Sequence, residues 1–133
     1  MPNLKVLLPC EAIIQDKDTN LTSLISIMDQ ITPAGIPFIL SKLDVFMLFE
    51  KLEGDKDKQE ISIVIKINEI DLFSRKLKFD FQKKKKVKVN LHLRGFPINQ
   101  IGVLHICVYI EEELLNCYDV NIIAPPIPEM KVT

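Results

Sequence analysis

The sequence predicts an all-β protein, an antiparallel β-sandwich of seven to eight strands, and three observations carry that prediction. Period-two alternation recurs along the chain: Ile61, Ile63, Ile65 and Ile67 share one side of an extended segment, as do Leu77, Phe79 and Phe81, and then Val87, Val89, Leu91 and Leu93. Successive side chains of a strand point to opposite faces, so each segment reads as one wet face and one buried face. Turn clusters punctuate these segments, and no segment carries a clean helical stripe.

The first strand is expected over about residues 4–14, before the polar turn Asp16, Lys17, Asp18, Thr19 and Asn20. The second covers about 21–31 and stops at Pro33 and Pro37, each of which lacks a ladder donor. The third, about 38–52, is long. Its continuous apolar run Val45, Phe46, Met47, Leu48, Phe49 predicts a central strand with a partner on both faces, and Ser41, Asp44 and Glu50 spoil any helical stripe there. A loop around Gly54 leads to the fourth strand, about 59–68. A break or bulge over 68–71 precedes the fifth, about 72–81. A charged turn over 82–85 leads to the sixth, about 86–94. An irregular link over 95–100 precedes the seventh, about 102–110, and the eighth covers about 114–123. A small barrel would need the same alternation to close without edges; lysine-rich strands look like protected edges and favour the open sandwich.

At 133 residues the chain makes one domain, expected over 1–124, followed by an extended tail over 125–133 containing Pro125, Pro126 and Pro128. A chain of this size buries roughly two-thirds of its unfolded surface, enough for a core without metal or disulfide support. Seventeen basic and eighteen acidic residues leave a net charge of -1, unlike a dedicated nucleic-acid binder. No run approaches the ~18 apolar residues of a membrane helix, and the first residues do not read as a signal peptide. Three cysteines, an odd number without a CxxC pair, fit a reducing, cytoplasmic setting.

The last hairpin yields a register. With Glu111, Glu112 and Glu113 as a three-residue loop, Cys107 faces Cys117, His105 faces Asp119 and Tyr109 faces Leu115, and a two-residue loop would dissolve that arrangement. The four residues would form a cluster opposite a core face made of Leu104, Ile106, Val108, Ile110, Tyr118, Val120 and Ile122. Its residue types suit zinc, but neighbours on one sheet face stand parallel instead of converging on a tetrahedron. A Cys107–Cys117 disulfide is a second reading. The expected state is two reduced cysteines beside a His–Asp hydrogen bond.

Lys83, Lys84, Lys85 and Lys86, with Lys76, Lys78 and Lys88 on the flanking strands, form the densest charge feature. Side by side on a hairpin around residues 76–88 they would grip phosphate or another anion; as a solvated edge they would block aggregation. Two loops carry apolar residues outside the core pattern: Ile36 and Phe38 in one, Phe96 and Ile98 in the other. Such loops either cap the ends of the sandwich or dock on a partner. Catalysis has little support, because no nucleophile elbow, HExxH, P-loop or dinucleotide motif is present, and no cofactor is expected.

Two stretches resemble an uncharacterised bacterial family known only as a domain of unknown function. Pro9-Cys10-Glu11-Ala12 followed by Leu21-Thr22-Ser23-Leu24-Ile25-Ser26-Ile27-Met28-Asp29-Gln30-Ile31 is similar to its apolar first strand and its G-K-L-S-L-I-G-I-F-D-x-I strand. Gly102-Val103-Leu104-His105-Ile106-Cys107-Val108-Tyr109-Ile110 is similar to its G-x-Y-x-F-x-I-x-V-D-G hairpin, with Glu111-Glu112-Glu113 in place of the Asp-Gly turn. The resemblance spans about 4–123 and implies a small immunoglobulin-like sandwich with no activity, cofactor or catalytic residue attached. The functional expectation is a non-catalytic protein-interaction or accessory module acting through sheet edges and end loops, on a protein partner or a second copy. Anion or nucleic-acid binding through the lysine-rich segment is the alternative.

Overall fold

The alternation seen in the sequence builds nine strands in a computed structural model that describes residues 1–124; the expected tail over 125–133 lies outside the described residues. The strands are β1 (Asn3–Gln15), β2 (Thr22–Ile27), β3 (Gln30–Ile31), β4 (Phe38–Glu50), β5 (Lys58–Ile67), β6 (Ile70–Asp80), β7 (Lys86–Ile98), β8 (Gly102–Ile110) and β9 (Glu113–Ile122). They form a four-stranded sheet in the order β2-β1-β4-β7 and a five-stranded sheet in the order β3-β9-β8-β5-β6. Among the described residues there is no helix, and so none long and apolar enough to cross a membrane.

One apolar core lies between the sheets. From β4 it takes Leu43, Val45, Met47 and Phe49; from β5 it takes Ile61, Ile63, Ile65 and Ile67; from β8 it takes Leu104, Ile106 and Val108. All of these are at most 1% exposed. Each such side chain stabilises the fold by roughly 1.5–3 kcal/mol relative to the exposed state. Phe79 meets Phe49 in a tilted contact and Phe81 edge-to-face, with centroids 4.8 and 5.4 Å apart.

Four expectations change. The second expected strand is two, β2 and β3. The Met28 N–H still donates to Pro9 O of the four-stranded sheet, whereas Asp29 O accepts from Asn121 N–H of the five-stranded sheet. The chain therefore changes sheets between those two residues, and β3 runs parallel to β9, the one parallel pair among these strands. Next, β6 and β7 do not form a hairpin: β6 pairs with β5 and β7 with β4. The link between them crosses from one sheet to the other, anchored by the buried Phe81 and turned by Gln82 and Lys83 at φ 53° and 63°.

The third change concerns β7, which continues to Ile98 instead of ending near Arg94. Gly95 at φ 69° inverts the alternation, so that Phe96 and Ile98 join Leu91 and Leu93 on the core side. That conformation favours glycine. The last change is in the β8–β9 turn, which has two residues, Glu111 and Glu112, both left-handed at φ 49° and 72°. Ile110 then faces Glu113 and Tyr109 faces Leu114, one residue off the expected pairing. A register shift between Val108 and Tyr109 leaves Leu115 as an extra residue and restores the expected pairs beyond it, Cys107 with Cys117 and His105 with Asp119.

Candidate functional site

Among the described residues, two sheets that do not close leave four open strand edges, and these gather on two sides of the molecule. On one side lie β2 and the two-residue β3; on the other lie β6 and β7. An open edge presents unpaired N–H and C=O groups and is a template for another strand unless charge, proline or irregularity blocks it.

The β6–β7 side is guarded by charge. Strand β6 carries Asp71, Arg75, Lys76, Lys78 and Asp80, and β7 carries Lys86, Lys88, His92 and Arg94. Strand β2 contains no charged residue and no proline. With its hairpin partner β1 and the turn between them it also holds four exposed large apolar side chains: Ile14 at 51%, Leu21 at 67%, Ile25 at 43% and Ile27 at 50% exposure. Ser26, left-handed at φ 57°, interrupts the β1–β2 ladder between the Ala12–Ile25 and Cys10–Ile27 pairs.

The β1–β2 hairpin also explains why β4 is apolar on both faces. Beyond Cys10, β1 no longer pairs with β4 but only with β2. The hairpin bends over the outer face of the four-stranded sheet, where Ile13 N–H donates to Asp44 Oδ2 at 3.2 Å. At its tip, Lys88 Nζ donates to Asn20 O at 2.8 Å and to Thr22 Oγ1 at 2.7 Å. Phe46, which alternates with the core residues of β4 and points the other way, is buried there.

Asp44 sits under this roof and is 2% exposed. Arg94 Nη1 donates to Oδ1 at 2.7 Å, and His92 Nδ1 lies 3.1 Å from Oδ2. Burial pushes the carboxyl pKa up, but the hydrogen bonds and charges of Arg94 and His92 outweigh it and hold Asp44 below its ordinary value. Cys10 faces Asp44 across the β1–β4 pair; burial first, and the Asp44 charge second, raise its thiol pKa. A protonated thiol of this kind is a poor nucleophile. Asp44 thus joins the two sides of the molecule, holding the β1–β2 hairpin by a backbone bond and fixing the Arg94 fork on β7.

The expected sites are distributed differently from the sequence reading. Lys76 and Lys78 project from the outer face of the five-stranded sheet, opposite Ser62 and Glu60, and Lys78 lies 3.9 Å from Glu60. Lys86 and Lys88 belong to the four-stranded sheet, where Lys86 pairs with Glu50 and Lys88 holds the hairpin tip. Lys83, Lys84 and Lys85 occupy the crossing turn beside acidic neighbours: Lys83 N–H donates to Asp57 Oδ2 at 3.2 Å, and Lys51 Nζ approaches Asp57 to 2.5 Å. Because the crossing separates the two strands, the seven lysines form no single patch. The apolar loops also divide. Phe96 and Ile98 lie within the core at 6% and 0% exposure, and Phe38 packs against it, because β4 and β7 extend to those residues. Ile36 is exposed at the sandwich end.

Cys107 and Cys117 face each other as expected but are joined in a disulfide, with Cα atoms 4.1 Å apart, so they are not the reduced pair the sequence reading favoured. The bond removes both thiols from any zinc set. The cysteine count consequently stops arguing for a reducing compartment. His105 Nδ1 lies 2.6 Å from Asp119 Oδ1 in the next row of the same face.

The buried Asp44 and its arginine escaped the sequence reading. The signal was a lone acid opening a continuous apolar strand, a residue whose burial demands a cation. No curated protein matches the chain. A family model does, over residues 5–123: the chain belongs to DUF6941, a family of unknown function.

Proposed function

We propose that this protein is a non-catalytic interaction module, an immunoglobulin-like sandwich that pairs β2 with an extended, uncharged strand of a protein partner. The observation that carries this reading is the contrast among the open edges: β2 is uncharged and bordered by exposed Ile14, Leu21, Ile25 and Ile27, while β6 and β7 are dense in charge. Main-chain bonds to an added strand supply affinity, and the apolar side chains beside it supply selectivity for a neutral, apolar segment. For apolar strands, the role given to sheet edges is thereby narrowed to one edge. The end-loop part of the expectation is set aside for Phe38, Phe96 and Ile98, which pack into or against the core.

The test is a photo-crosslinking amino acid at position 25, in cells of the native source, with position 66 on the outer face of the five-stranded sheet as control. A discrete protein adduct from position 25, absent from position 66 and lost in Ile27→Lys, supports the reading. No adduct from position 25, or identical adducts from both positions, overturns it. Sedimentation of the purified chain then tells whether the added strand belongs to a second copy.

A further inference from the structure

A second site lies on the opposite side of the molecule, where the two arginines of the chain meet. Of seventeen basic residues only Arg75 and Arg94 are arginine. They stand on different sheets, yet both line one open groove of about 400 Å³ between β6 and β7, together with His92. Arginine presents a planar fork that matches a carboxylate with two parallel bonds, which an ammonium cannot do.

Each cationic group is held in place with donors left over. Arg94 Nη1 is occupied by Asp44 Oδ1 and Leu93 O, at 2.7 and 2.9 Å, while its Nε and Nη2 make no hydrogen bond among the described residues. His92 places Nδ1 against Asp44, leaving Nε2 for a ligand. Arg75 lies over the Phe73 ring, 5.4 Å from its centroid, and has no carboxylate partner among the described residues. Asp44 balances one guanidinium, so the groove keeps an unmatched positive charge beside apolar walls from Leu72, Phe73 and Pro97. Both walls are open strand edges, which offer main-chain pairing to an extended chain.

We propose that this groove binds an acidic peptide in extended conformation, one side-chain carboxylate of which is received by Arg75 and Arg94. The unmatched guanidinium charge favours approach of an acidic partner. Nucleic acid fits less well, because the lysines divide between two outer faces and the Phe73 ring is already covered by Arg75.

The test uses the full chain and fluorescence anisotropy with a labelled decapeptide of alternating Glu and Val, its Gln-Val counterpart, and a labelled single-stranded oligonucleotide. The expected result is binding of the Glu-Val peptide with the Gln-Val peptide about tenfold or more weaker. Arg75→Gln, whose side chain holds no other element in place, should lower affinity by about tenfold, while the double variant Lys84→Gln/Lys85→Gln should change it by less than about twofold. Equal affinity for the two peptides, no loss in Arg75→Gln, or a tighter oligonucleotide complex that depends on Lys84 and Lys85 would each overturn the proposal. Because Arg94 also neutralises buried Asp44, Arg94→Lys serves as the second variant, with thermal unfolding measured alongside binding. A loss of binding in a variant that remains folded assigns the fork.

Discussion

The two open sides of this molecule solve the same geometric problem with opposite chemistry. On the β6–β7 side, exposed edges carry arginine, lysine and aspartate, and a strand that approaches must offer charge of its own. On the β2 side the edge is neutral, its neighbours are isoleucine and leucine, and what limits pairing is the left-handed Ser26 and the shortness of the strand. Guarding one edge with charge and leaving the other neutral is economical if only one of them pairs with apolar strands. The two sides are not independent, because Asp44 bonds Ile13 N–H on one and Arg94 on the other.

The strongest way to break the comparison is to remove that link. Asp44→Ala leaves Ile13 N–H without its acceptor and releases Arg94 and His92, and should lower stability by about 2 kcal/mol in urea unfolding. Amide exchange at Ile13 should accelerate, because the bond that holds the β1–β2 hairpin down is gone. The same link sets an acid limit. Asp44 is held below its ordinary value in the folded state, so its contribution is fully present above the ordinary carboxylate range, near pH 4, and is lost as pH falls through the lowered value. An acid titration followed by circular dichroism should therefore show Arg94→Gln unfolding at higher pH than the wild type.

Reducing the Cys107–Cys117 bond tests a region away from both edges. It closes a loop of ten residues, so dithiothreitol should cost about 2 to 3 kcal/mol by freeing the unfolded chain, while the hairpin's own pairing leaves the strands intact. Gly95→Ala probes the point where β7 inverts its faces. Among the described residues no atom lies within 4 Å of an added Cβ, so the penalty is that of the left-handed backbone alone, about 1 kcal/mol in thermal unfolding. The smallest effect on stability belongs to Ile27→Lys, within about 0.5 kcal/mol, since the side chain is already exposed. If β2 is the contact element, the same change should remove the position-specific adduct while leaving the unfolding curve in place.

How much of this was readable in advance depends on whether a feature is local. The isoleucines of β5 and the inward residues of β8 follow from period two, and each lies where alternation puts it. The Cys107–Cys117 and His105–Asp119 pairs were readable from hairpin register, although through a compensation: the turn is one residue shorter than expected, and the extra Leu115 returns the difference. Alternation reports a strand's faces but not its neighbour. Successive strands β6 and β7 therefore read as a lysine hairpin when Phe81 in fact carries the chain into the other sheet. Phe96 and Ile98 read as loop residues because Gly95 reverses the pattern just before them. Asp44 and Arg94 lie fifty residues apart and meet only through β4–β7 pairing, which no local pattern encodes.

The most direct measurement is crosslinking from position 25 at low salt and at about 1 M salt, where exposed ionic contacts are screened within a few ångströms. A discrete adduct whose yield persists at high salt is expected, because the β2 side pairs through main-chain bonds and apolar contact. Absence of the adduct, or its loss at high salt, would contradict the division of the molecule into a neutral, pairing side and a charged one.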